Sequence, residues 1–211
     1  MQHDFHYVSK REYSPVKEHL WNMIHEVQKD LRKDYFTFQF VPVGSSSRNM
    51  ITRDKKSNVG YDFDINLYPN VGFDEYSPKE LRTIITKAFN KLAAKYGYSP
   101  CEDSTRVITL KVKDRENSKI LHSCDMAIVL YDEYEAPWYI QCRKNGDKKY
   151  YEKQLMPDPD ELEEKIAWIK NNDLWDEVKN MYKNLKNHNT NPDRKSRSMF
   201  AEAINNIYNE Y

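Results

Sequence analysis

"YDFDINLY", residues 61 to 68, is the stretch on which the fold turns. Successive side chains of a strand point to opposite faces, so Tyr61, Phe63, Ile65 and Leu67 share one face while Asp62, Asp64 and Asn66 share the other. The first face reads as core. The second carries two carboxylates about 6 to 7 Å apart along the strand, where their charges repel unless a cation is held beside them. An Asp-x-Asp pair is also what the solvated face of an ordinary amphipathic strand carries, and the pair alone does not choose between the two readings.

A third carboxylate and a turn shift the balance. Asp125 lies inside "KILHSCDMAIVLY" (119–131), where its neighbours on both faces are apolar or small, the pattern of a strand buried on both sides. A carboxylate there is costly unless it binds a metal or pairs with a cation, such as Lys111 or Lys113 of the preceding strand. Upstream, "YFTFQFVPV" (35–43) alternates as a strand and ends in "GSSS" (44–47). Gly44, Ser45 and Ser46 have the size and the donors to approach a nucleotide's phosphates, and the turn is expected to open a helix whose positive end favours the same anion. Three carboxylates from two strands, with a small-residue turn after an earlier one, are the parts that two-metal phosphoryl transfer needs. No G-x-x-x-x-G-K-[ST] is present, so this is not a P-loop protein.

The rest of the chain reads as a frame for these strands. A helix is expected from Ser14-Pro15 with Leu20, Ile24, Val27 and Leu31 on one face, and a second from Pro78, with Leu81, Ile84, Ile85, Phe89 and Leu92 as its stripe and Gly97 as its C-cap. Further strands are expected over 105–113, 119–131 and 137–144, the last closed by Asn145-Gly146. From Pro157 to Pro159 onward three helical segments follow. The expected organisation is a mixed-sheet α/β (α+β) domain over 1–156 and a short helical segment over 157–211.

Several conspicuous residues have ordinary readings. His122 falls on the face opposite Asp125 and reads as core; Asp132 is the alternative third carboxylate; Cys101, Cys124 and Cys142 read as small core residues. Trp168 and Trp175 read as packing against the catalytic domain, and Arg194, Lys195 and Arg197 as a solvated helix start that could also meet a triphosphate or RNA backbone. With 33 basic and 33 acidic residues the formal net charge is zero, which argues against an extended nucleic-acid channel. The longest apolar run, "MAIVL", is too short to span a membrane, and the odd cysteine count without a secretory signal points to the cytoplasm.

In order and context, Gly44-Ser45, Asp62-Phe63-Asp64 and Asp125 resemble the DNA polymerase β-like nucleotidyltransferases, over roughly residues 15 to 150. The leading helix, and the helix between the second and third aspartates, are most similar to the branch of oligoadenylate synthases, cyclic-dinucleotide-type synthases of bacterial antiviral defence and small bacterial nucleotidyltransferases. The resemblance implies that Gly44, Ser45 and Ser46 bind the triphosphate of an NTP such as ATP. It implies that Asp62, Asp64 and Asp125 hold two Mg²⁺ ions, with Mn²⁺ as a substitute, and that Asp125 activates the acceptor hydroxyl. The expected activity is transfer of an NMP from an NTP to a hydroxyl of a nucleotide, small molecule, protein or tRNA, with release of pyrophosphate. A second-messenger synthase, a toxin-antitoxin-type modifying enzyme and a non-catalytic nucleotide-binding module all remain open at this point.

Overall fold

The protein is described here by a computed structural model covering residues 3–146, 148–157 and 160–211. In chain order the elements are β1 (Phe5–Tyr7), α1 (Lys10–Asp34), β2 (Phe38–Val43), the single turn α2 (Gly44–Ser47), β3 (Thr52–Asp54), β4 (Val59–Pro69) and α3 (Pro78–Ala93). Then come β5 (Glu102–Asp103), β6 (Val107–Asp114), β7 (Lys119–Tyr131), β8 (Pro137–Asn145), β9 (Lys148–Leu155), α4 (Asp160–Asn171), α5 (Trp175–Asn187) and α6 (Ser196–Glu210). The α+β class expected from the sequence is the one observed.

Two compact units are present. The larger contains α1 to α3, β2 and β4 to β9. Its seven-stranded mixed sheet has the order β2-β4-β7-β6-β5, with β8 paired to the end of β7 and β9 to β8. β4 and β7 run parallel and every other pair in this sheet is antiparallel. Because β4 and β7 are far apart in sequence, α3 and β6 fit between them as the crossover that parallel pairing demands. At Gly60 the two strands approach so closely that a Cβ would lie 1.9 Å from the carbonyl oxygen of Leu121.

The apolar face anticipated at 61–67 is core. Phe63, Ile65 and Leu67 cluster with Cys124, Met126 and Ile128 of β7, Ile108 and Leu110 of β6, and the stripes of α1 (Leu20, Met23, Ile24, Val27) and α3 (Leu81, Ile85, Phe89). α3 begins in a capping box, Ser77 with Glu80, and is followed by a 3₁₀ turn ending at Gly97, whose φ of +75° suits a residue without a Cβ. α1 starts earlier than Ser14-Pro15 suggests: Ser9 is the cap, accepting from the Glu12 N–H at 3.2 Å. Pro15 lies within the helix, where it removes one backbone hydrogen bond. The hairpin at Asn145 has a return strand, β9, that the sequence does not announce, because its lysines and tyrosines show no alternation of burial.

The smaller unit contains β1, β3 and α4 to α6. β1 and β3 pair antiparallel, and β1 is tied to α5 by Phe5 N–H to Asn187 Oδ1 at 2.6 Å and Tyr7 Oη to the Lys179 carbonyl at 2.7 Å. Trp168 packs edge-on against Tyr208 and Trp175 against Phe200, so both tryptophans have partners among their own helices. Arg194 pairs with Glu202, and Lys195 caps α6 without a side-chain hydrogen bond. The Asp158-Pro159 start signal falls outside the described residues. Among the described residues no helix is long and apolar enough to cross a membrane.

One buried cation joins α3 to the sheet. Arg82, 2% exposed, donates Nε–H to Asp103 Oδ1 at 2.6 Å, one Nη to the Ile140 carbonyl at 2.9 Å, and the other to the carbonyls of Ser104 at 2.6 Å and Val107 at 2.8 Å. Its guanidinium therefore gathers β5, β6 and β8 at one point. Replacing it by methionine removes a donor from Asp103 and from three carbonyls at once, and should destabilise the fold by about 3 to 5 kcal/mol. Chemical denaturation followed by circular dichroism measures this; a loss under about 1 kcal/mol would show that the carbonyls find other donors.

Candidate active site

β2 delivers the turn and β4 the first two aspartates. In the antiparallel β2–β4 ladder Val43 lies opposite Asp64, so the chain leaves the sheet at Gly44 beside that carboxylate. Gly44 has φ +61°, and a Cβ there would come within 2.8 Å of Asp64 Oδ2. The conformation favours glycine, and a side chain there would displace the Asp64 carboxylate. The Ser46 hydroxyl, 3% exposed, is shared between the carbonyls of Val43 at 2.8 Å and Asp64 at 3.0 Å. Ser46 therefore pins the turn to β4, and its hydroxyl is not placed to meet phosphate. Ser45 is partly exposed, and its carbonyl accepts from Met50 N–H at 2.9 Å. The expected helix after the turn is four residues long, too short for an appreciable macrodipole.

β7 brings the third aspartate into register. In the parallel ladder Asp62 lies beside Ser123 and Asp64 beside Asp125. All three carboxylates thus stand on the face opposite the core. Asp62 is exposed, and Asp64 and Asp125 are half-buried. Asp125 is less enclosed than its neighbours: Ser123, Cys124 and Met126 to Leu130 are all buried, while Asp125 is half-buried.

Two hydroxyls that the sequence reading passed over hold the carboxylates. Ser123 donates to Asp62 Oδ1, and Thr109 of β6, directly across from Asp125, donates to its Oδ1 at 2.6 Å. The signal for Ser123 was present, since it is two residues before Asp125 and shares its face. Thr109 could be found only from the β6–β7 register. Burial raises the Asp125 pKa; the Thr109 hydrogen bond opposes this, the charge of Asp62 raises it further, and Lys111 lowers it. Lys111 and Lys113 themselves are paired with Glu102, at 2.5 Å and 3.0 Å.

Three oxygen donors of like charge on one face suit a hard divalent cation such as Mg²⁺ or Mn²⁺. Among the described residues the side chains do not converge into a ready cluster of three ligands. Asp62 and Asp125 each give one oxygen to a hydroxyl and keep the other.

The remaining candidates are structural. Asp132 closes its own turn, accepting from the N–H groups of Tyr134 and Ala136 and from Trp138 Nε1. Cys124 and Cys142 are buried and Cys101 half-buried, all as free thiols. His122 is on the core side as expected, stacked on Tyr61 at 5.9 Å and edge-on to Tyr98. Burial, then the charge of His19, brings its pKa down to about 4 from an ordinary 6.5.

No family description and no curated protein matches this sequence. Solved structures do. The fold is shared with DncV of Vibrio cholerae. A 3'-deoxy GTP bound form of DncV superposes with a TM-score of 0.58 at 17% identity, covering 90% of this chain and 50% of that one. DncV, a cyclic AMP-GMP synthase, in complex with nonhydrolyzable GTP gives 0.58 at 16%, covering 97% and 54%. Its complex with the linear intermediate 5' pppA(3',5')pG gives 0.57 at 15%, covering 90% and 52%. The chain spans about half the length of these relatives.

The position of His122 sets a pH dependence. With a folded pKa near 4 and an unfolded one near 6.5, the stability held by the neutral imidazole is complete above pH 6.5 and is lost as pH falls toward 4. Thermal melts across that range should therefore show the wild type losing midpoint on acidification, and His122→Phe losing less. Parallel curves for the two proteins would place the acid sensitivity elsewhere.

Proposed function

We propose that this chain is a nucleotidyltransferase that moves a nucleoside monophosphate from an NTP to a hydroxyl acceptor and releases pyrophosphate. The observation that carries this reading is the register of β4 and β7, which sets Asp64 beside Asp125 with Asp62 on the same face and Gly44 packed on Asp64. Asp62, Asp64 and Asp125 would hold a pair of Mg²⁺ or Mn²⁺ ions, which when bound supply positive charge for the leaving pyrophosphate and acidity for the acceptor hydroxyl.

The chain's own groups supply the rest. Gly44 leaves room for phosphate to approach the backbone, and Ser45 offers a hydroxyl at the same turn. Ser46 fixes the turn through its bonds to Val43 and Asp64. Asp125 keeps Oδ2 for the acceptor's proton while Oδ1 accepts from Thr109, and its burial makes it a stronger base than a solvated carboxylate. The likeness to a cyclic AMP-GMP synthase favours a nucleotide acceptor and a second-messenger product over a small molecule, a protein or a tRNA.

The test is incubation of the pure protein with each labelled NTP and Mg²⁺, with and without cell extract. Asp62→Asn and Asp64→Asn should each lower transfer by at least about 100-fold, since even residues behind a metal's ligands cost 10- to 100-fold. Their melting curves should stay near the wild type. Wild-type turnover in either variant would remove the metal-holding role, and nucleotide binding without any transfer would leave a binding module.

A further inference from the structure

The larger unit contains a concavity that the transfer reading does not use. It has a volume of 690 Å³ and is bordered by the 103–106 bend on one side and by β8 with Gln154 of β9 on the other. That is the size of a small-molecule site, but such sites are mainly apolar and this one is not. Its charged groups are Arg106, Arg143 and Lys144 against a single carboxylate, Asp103.

That carboxylate is already committed, to Arg82 at 2.6 Å and to Lys149 at 3.4 Å. Arg143 shares its guanidinium with Glu152 at 2.5 Å. Among the described residues no carboxylate pairs with Arg106 or Lys144. Arg106 lies instead over the ring of Tyr139, 5.8 Å from its centre. Gln141, 1% exposed, donates Nε2 to Gln154 Oε1 at 2.5 Å and so fixes a polar floor. In a chain of zero net charge, two cations that no described carboxylate pairs with and a half-committed arginine around one polar cleft are a local excess that a multiply charged anion would balance.

We propose that this cleft is a second anion-binding site, taking a phosphate-bearing small molecule through Arg106, Arg143 and Lys144. It is built from different residues than Asp62, Asp64 and Asp125 and does not depend on the transferase reading. Polyphosphate is the recognised chemistry, and it reaches the cleft either free or as part of a nucleotide.

Calorimetric titration of the full chain in EDTA tests this, with inorganic tripolyphosphate in one arm and ATP or GTP in the other. EDTA withholds the divalent cation that the aspartates would need. The expected result is one saturable site per chain, equally present in Asp64→Asn and weakened at least tenfold in Arg106→Gln/Lys144→Gln. Lys79→Gln/Lys87→Gln, which removes the same charge from exposed positions of α3, should bind as the wild type does. Tighter binding of a nucleotide than of tripolyphosphate would assign the ligand as a nucleotide, and equal binding would assign it as phosphate alone; both support the site. Absence of saturation, equal weakening by the two double variants, or loss in Asp64→Asn with binding kept in Arg106→Gln/Lys144→Gln would overturn it.

Discussion

The parallel pairing of β4 with β7 is the constraint on which the remainder of the molecule depends. Side chains alternate along both strands, so a shift of one residue in this ladder would turn Asp125 into the core and Cys124 out of it. The correct register is held by the other face, where Phe63 and Ile65 interleave with Cys124 and Met126 under α1 and α3. The core thus sets the position of the carboxylates, and a half-buried acidic site is carried by contacts that contain no charge.

How much of this was legible in the sequence depends on which force fixes each residue. The alternation at 61–68 and the span 119–131 followed from burial, which leaves a direct mark on residue type. β9, β1 and β3 leave almost none, because short or exposed strands are fixed by pairing with partners distant in sequence. The same distinction runs through the site. Asp62, Asp64, Asp125 and Gly44 were visible as unusual residues in otherwise apolar or extended contexts. Ser46 was read as a phosphate donor because a serine in a turn has the right chemistry, whereas its hydroxyl is consumed by two carbonyls. Thr109 was invisible until the β6–β7 register put it opposite Asp125.

A zero net charge conceals strong local segregation. Carboxylates gather on β4 and β7, while Arg106, Arg143 and Lys144 border the cleft at β8. Between them Lys111 and Lys113 share Glu102, so the cations nearest Asp125 in the sheet are already paired. Whole-chain charge says little about two small regions of opposite sign in one sheet.

The close approach at Gly60 bears on how mutational data for such a chain are to be read. Gly60 is not among the candidate site residues, yet any side chain there meets the backbone of Leu121, and backbone cannot rotate aside as a side chain can. The strain would be relieved by spreading β4 from β7 two residues ahead of Asp62, altering the spacing of all three carboxylates. Were the proposed transfer scored by turnover alone, this glycine would rank with the aspartates. Only a measurement of geometry, not of rate, would separate a residue that does chemistry from one whose emptiness keeps the chemistry in line.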